Sequence, residues 1–184
     1  MMTSDVMPTG GRLIVVGPAR SGKSRWAEGV LSAEPAVDYV ATSAVPADDP
    51  EWAQRVRIHR RRRPSHWRTV ETTDLVGVLS HGTVPVLIDC LAVWLARAMD
   101  TADVWNDAPG SVDRVTGEID RFLAALRTTG RRVVIVSNEV GAGVVPSERG
   151  TRCYRDLLGT LNAQVGAVCD EIWLCQVGVA RRWR

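Results

Sequence analysis

An apolar run, Leu13 to Val16, breaks into Gly17-Pro18-Ala19-Arg20-Ser21-Gly22-Lys23-Ser24, and no other stretch constrains the fold as much. It fits G-x-x-x-x-G-K-S/T at every fixed position, and helix formers follow it. The order predicts a strand, a phosphate-binding loop and a helix. A polyphosphate needs many donors in a small concave space. Gly17 and Gly22 let the backbone turn tightly and come close, so successive N–H groups and the helix N-terminus face the anion. In this reading Lys23 reaches the β- and γ-phosphates and Ser24 ligates Mg²⁺. A glycine turn with an incidental lysine is the bland alternative, and the strand-before, helix-after context argues against it.

A chain of 184 residues, 45% of them hydrophobic, can bury one substantial core, and no linker-like stretch divides it. The expectation is one domain over residues 12–184. A disordered extension over 1–11 precedes it, since MMTSDVMPTGG lacks the basic and apolar regions of a signal peptide. A formal charge of +2 does not by itself call for a polyanionic partner. No run approaches the roughly 18 apolar residues of a membrane span. Cys90, Cys153, Cys169 and Cys175 sit at spacings that make no zinc or redox motif, so they read as free thiols of a reducing cytosol.

Beyond the loop, Arg25 to Leu31 continues a helix, and Val37 to Ala41 is a short strand ending in Thr42 and Ser43. Such hydroxyls at a strand's C-terminal end either meet a ligand in the crevice of an open parallel sheet or simply close the strand. Asp48-Asp49-Pro50-Glu51 is a helix start, and that helix runs to about Arg63, before Pro64. On it Trp52, Val56, His59 and Arg63 share one face. The run Arg60, Arg61, Arg62, Arg63 after His59 admits several readings. One is a solvated helix face, and nucleic-acid binding is a weaker one. Another is phosphate chemistry, in which a neutral imidazole attacks phosphorus and guanidinium groups stabilise the charge. His66, beside Trp67, reads as structural and His81 as exposed.

Ser65 to Glu71 is a turn into a short strand, Leu75 to Leu79 a short helix, and Val84 to Ile88 an apolar strand ending in Asp89. Downstream of a phosphate loop, a strand-end carboxylate holds Mg²⁺, directly or through water. Cys90 to Met99 continues as a helix with Trp94 packed. Val112, Val115, Ile119, Phe122, Leu123 and Leu126 mark a core-facing helix. Val133 to Val136 is a buried strand running into Ser137-Asn138-Glu139 and a glycine-rich loop, where Asn138 and Glu139 either position a hydroxyl or a water or shape a turn. A long helix over Ser147 to Cys169, with Ser147 as its cap, and a last strand over Ile172 to Val177 complete the chain. The alternation predicts an α/β fold with a mostly parallel central sheet and helices on both faces.

The ordered set of motifs resembles the bifunctional adenosylcobinamide kinase/adenosylcobinamide-phosphate guanylyltransferase family. It comprises the G-P-A-R-S-G-K-S loop, Ala41-Thr42-Ser43, Arg55 through His59 to Arg63-Pro64, His66 to Glu71, Asp89-Cys90-Leu91, and Ser137 to Pro146. The resemblance implies a RecA-like phosphate-loop fold in a cytoplasmic, trimeric enzyme of cobalamin assembly. Such an enzyme phosphorylates adenosylcobinamide with ATP or GTP. It then transfers GMP from GTP to adenosylcobinamide phosphate through a guanylylated histidine. By position that histidine is His59, although Ile58 stands where some members carry a second histidine. Gly17 to Ser24, Thr42, Ser43, Ala44, Arg60 to Arg63, Glu71 and Asp89 become nucleotide contacts, with Ser24 and Asp89 also on Mg²⁺. Neither nucleic acid nor membrane is implied as a partner. A small-metabolite kinase would use Lys23, Ser24 and Asp89 but not His59. A GTP switch lacks an N-K-x-D segment here, and a nucleic-acid-dependent ATPase would use the arginine run.

Overall fold

The computed structural model describes residues 11–42, 54 and 63–184. Among these residues seven strands form one sheet in the order β3-β2-β4-β5-β1-β6-β7. They are β1 (Arg12–Gly17), β2 (Asp38–Ala41), β3 (Arg68–Glu71), β4 (Val86–Asp89), β5 (Val133–Asn138), β6 (Glu171–Gln176) and β7 (Val179–Arg182). The described helices are α1 (Lys23–Val30), α2 (Leu75–Ser80), α3 (Leu91–Ala102), α4 (Ser111–Thr128) and α5 (Arg149–Val168). Every pairing is parallel except β6 with β7, so the expected mostly parallel sheet is what forms.

Both faces of the sheet are covered, as near-continuous apolar strands require. Ile14, Val40, Ile88 and Ile135 point one way, into a core with Leu95, Met99, Phe122 and Leu161 from the helices. Leu13, Val15, Tyr39, Leu87, Val134 and Val136 point the other way, against Ala27, Val30 and Leu31. The alternation along each strand is the period of two that separates the faces. Of the α4 stripe read from the sequence, Val115, Ile119, Phe122, Leu123 and Leu126 are buried and Val112 packs against them. Trp94 is buried too.

Two sequence expectations need correction. The strand over Ile172 to Val177 ends at Gln176 and is not the last: the chain turns through Val177 and Gly178 and returns as β7. Both turn residues have positive φ, 46° and 82°. That is the I′ hairpin signature, which sequence rules assign to Asn, Asp or Gly rather than valine. Nor does Ser147 cap the long helix. Glu148 occupies the cap position without a side-chain bond, and Arg152 holds the lead-in by donating to the carbonyls of Pro146 and Ser147. The helix expected to run to Arg63 lies outside the described residues apart from Gln54, which is helical, and Arg63.

A buried charge cluster fixes β2 beside β4. Asp38 accepts from Arg68 at 2.7 and 2.9 Å and from Arg131 at 2.5 Å. Arg131, itself buried, also donates to the carbonyls of Val78, His81 and Val84. Burial alone would raise the Asp38 carboxyl, but the two guanidinium groups outweigh it and hold the group below its ordinary range. A depressed carboxyl contributes stability that is present above its unfolded value, about 4, and lost as pH falls through the folded one. Thermal melts should therefore show a fall in wild-type stability below about pH 4 that is shallower in Asp38→Asn. At pH 7 the variant should be less stable by about 3 kcal/mol, the scale of breaking a buried pair.

Candidate active site

The phosphate loop joins β1 to α1 at the C-terminal edge of the sheet. Gly22 precedes the helix with φ 96°, a left-handed conformation that glycine adopts freely. The loop is braced from below by the β6–β7 hairpin. The Ser21 carbonyl accepts from Gly178 N at 2.9 Å and from Cys175 Sγ at 3.2 Å. On its other flank the Gly17 carbonyl accepts from Glu139 N at 3.0 Å. Lys23 is buried and donates to the Pro18 carbonyl at 3.2 Å. Burial lowers its ammonium pKa, partly offset by neighbouring Cys90, Asp89 and Cys175. Of those three Asp89 is the operative anion, because burial pushes the Cys90 thiol up to about 11 and raises that of Cys175 as well.

Asp89 ends β4, and β5 separates that strand from β1. The end of β5 thus lies between the loop strand and the carboxylate. Ser24, at the start of α1, donates its hydroxyl to Asp89 Oδ1 at 3.2 Å. On the opposite side Tyr39 donates to Oδ2 at 2.7 Å. Ser24 and Asp89 are hard oxygen donors one hydrogen bond apart, beside a loop shaped for phosphate. That donor set fits Mg²⁺, which keeps several waters and takes one or two protein ligands plus substrate phosphates. Among the described residues no group of three or more His, Cys, Asp or Glu side chains is placed to hold a metal.

Other residues singled out by sequence fall as follows. Thr42 is buried, and its hydroxyl donates to the Cys90 carbonyl at 2.8 Å while accepting from Cys90 N at 3.2 Å. It ties the end of β2 to the end of β4. Glu71 is exposed and lies in the same row across the sheet as Ala41 and Asp89. Arg63 places its guanidinium 3.6 Å from the centre of the Tyr39 ring and donates to Thr69 Oγ1 at 3.3 Å. Ser43, Ala44, His59, Arg60, Arg61 and Arg62 lie outside the described residues. Glu139 turns its carboxylate onto Gly141 N within the turn after β5, and the Asn138 backbone carbonyl accepts from Asn162 Nδ2 at 3.0 Å. His66 and His81 are exposed and contact the carbonyls of Glu34 and Gly77.

Sequence reasoning missed Tyr39. It stood in an apolar-looking run, and only the strand register brings its hydroxyl to Asp89. Burial, the Asp89 charge and the hydrogen bond to it all push the phenol pKa up, so the hydroxyl remains a donor.

A phosphate loop, a strand-end carboxylate on the second strand over and a parallel sheet define an α/β nucleotide-binding enzyme of RecA-like fold. Solved structures agree on the fold. A prototypical ATPase from the type III secretion system of pathogenic bacteria superposes with a TM-score of 0.57 at 9% identity, covering 94% of this chain and 57% of that one. The ATPase EscN from the enteropathogenic E. coli type III secretion system gives 0.53 at 10% identity, covering 91% and 43%. Sequence comparison is more specific: residues 13–182 match the CobU family, cobinamide kinase / cobinamide phosphate guanyltransferase. The bifunctional adenosylcobalamin biosynthesis protein CobU of Escherichia coli K12 is 37% identical over 91% of this chain and 96% of its own length. CobP of Pseudomonas aeruginosa, described in the same words, is 36% identical over 91% and 94%. The chain belongs to the cobinamide kinase / cobinamide phosphate guanyltransferase family. The four cysteines are free thiols, and no described helix is long and apolar enough to cross a membrane.

Proposed function

We propose that this chain phosphorylates the hydroxyl of adenosylcobinamide with ATP or GTP and then transfers GMP from GTP to the resulting phosphate. The products are adenosylcobinamide-GDP and pyrophosphate. The observation that carries this reading is the cluster of Lys23, Ser24 and Asp89 at the sheet edge, in a chain that matches the family from residue 13 to 182. In the kinase step the loop N–H groups and Lys23 bind the triphosphate, and Ser24 with Asp89 holds Mg²⁺. That ion, when bound, neutralises charge on the phosphate oxygens. Family resemblance further supports a cytoplasmic homotrimer and nucleotide contacts from Gly17 to Ser24, Thr42 to Ala44, Arg60 to Arg63 and Glu71.

The transfer step is assigned to His59. Its neutral imidazole nitrogen forms a bond to the α-phosphorus of GTP as the bond to the β-phosphate oxygen breaks, releasing pyrophosphate. A phosphate oxygen of the acceptor then attacks the same phosphorus, and the N–P bond breaks to regenerate the imidazole. Incubation with Mg²⁺ and GTP labelled at the α- or the γ-phosphate, followed by denaturation, tests this. Retained α-label that is lost in acid, stable in base and absent from His59→Ala is the expected result. Phosphorylation of cobinamide without any retained label would reduce the chain to a kinase.

A further inference from the structure

The mechanism above leaves Tyr39, a buried polar side chain at the site, without a task. Tyr39 lies in the core on the α1 face of the sheet, 4% exposed, and its hydroxyl meets Asp89. Phenylalanine would fill the same core volume, so packing does not account for the hydroxyl. We propose that Tyr39 is a positioning residue of the nucleotide–metal site, fixing the Asp89 carboxylate through its hydroxyl and linking it to Arg63 through its ring. This assignment rests on Ser24 and Asp89 as the metal-holding pair.

The geometry divides the carboxylate between two donors. Asp89 Oδ1 faces the Ser24 hydroxyl at 3.2 Å, and Oδ2 faces Tyr39 at 2.7 Å. A hydrogen bond to a charged acceptor is roughly twice as strong as a neutral one. With Oδ2 held, the carboxylate cannot rotate freely, and Oδ1 stays aimed at the N-terminus of α1. The donor is itself held in place. In the β2–β4 register Tyr39 pairs with Leu87, and Asp89 is two residues further along on the same face. Asp38 in its arginine clamp precedes Tyr39, and Thr42, bonded to the Cys90 backbone, follows three residues later. Ligands of a bound ion are commonly oriented in this way by partners that do not touch the ion.

The ring gives the second link. Arg63 stacks on it at 3.6 Å, as guanidinium groups do on aromatic faces. Arg63 closes the arginine run four residues after His59. The end of the segment assigned to guanylyl transfer and the carboxylate assigned to Mg²⁺ therefore share one side chain.

Mn²⁺ serves as the probe, titrated against the protein with GTP and followed by the loss of the free-ion electron paramagnetic resonance signal. Tyr39→Phe, which keeps the ring and the stack, should bind Mn²⁺ about tenfold more weakly. Its melting temperature should fall by only a few degrees, and its affinity for a fluorescent GTP analogue in EDTA should stay near wild type. Arg63→Lys keeps the charge and loses the planar stack, and should weaken Mn²⁺ by about threefold. Mn²⁺ affinity of Tyr39→Phe within twofold of wild type would overturn the proposal. So would an equal loss of metal-free nucleotide binding, since the hydroxyl would then be supporting the loop itself. An unchanged Arg63→Lys would overturn the link through the ring. If wild-type protein shows no GTP-dependent Mn²⁺ site, the assignment of Ser24 and Asp89 fails instead.

Discussion

Lys23→Met should lose kinase turnover by on the order of 10³-fold while melting, without nucleotide, within a few degrees of wild type. In the proposed site the two effects separate because the lysine serves the ligand at the fold's expense. It is buried, its ammonium pKa is lowered by that burial, and its visible hydrogen bond is to the Pro18 carbonyl in its own loop. Methionine removes a bond of about 1 kcal/mol but also removes a charge that burial desolvates. A bound triphosphate reverses the balance, since the ammonium then faces phosphate oxygens in a water-poor cleft. Thermal melts with and without GTP, beside a kinase assay, check both halves. The GTP-induced rise in melting temperature should vanish in the variant. A variant that unfolds in the absence of nucleotide would show that the lysine holds the loop together rather than the ligand.

What the sequence disclosed about this site follows from which constraints are local. The loop from Gly17 to Ser24 was legible because polyphosphate binding requires particular residue types at fixed spacing. Asp89 was legible because it ends an apolar run downstream of such a loop. The Ser24–Asp89 hydrogen bond brings the two readings together at one end of the sheet. Tyr39 was not legible, since its place beside Asp89 depends on how β2 pairs with β4, and that pairing leaves no trace within either strand. The hairpin beneath the loop was hidden for a related reason. Its turn puts valine at φ 46°, and the returning strand carries Arg181 and Arg182 with little apolar pattern. Helix α4 was predicted well because its stripe is local and long. Ser147 looked like a cap by type, but Glu148 stands at the cap position without a side-chain bond, and Arg152 holds the lead-in through the Pro146 and Ser147 carbonyls.

Gly17→Ala should lose nucleotide binding and also destabilise the protein by about 3 kcal/mol, a fall in melting temperature of roughly 6–12 °C. The cause is proximity, not backbone conformation, because Gly17 ends β1 without a positive φ. A Cβ there would lie within 3.0 Å of the Cys175 carbonyl oxygen and of Ser21 Oγ. The nearer of the two is a backbone atom and cannot swing aside. Cys175 pairs with Ala180 in the hairpin, and its neighbour Leu174 pairs with Val16 of β1. Ser21 is bonded through its carbonyl to the same hairpin. The added methyl must push β1 away from β6 or lift the loop, and either movement misdirects the N–H groups meant for phosphate. Gly22→Ala provides the contrast. Its Cβ would sit 3.3 Å from Gly178 Cα, a milder approach, but at φ 96° the residue would be strained by about 1–2 kcal/mol. It should bind nucleotide as poorly as Gly17→Ala yet melt closer to wild type. Melts and fluorescent-nucleotide titrations on the two variants decide it: a Gly17→Ala protein as stable as wild type would mean that the loop does not rest on the hairpin.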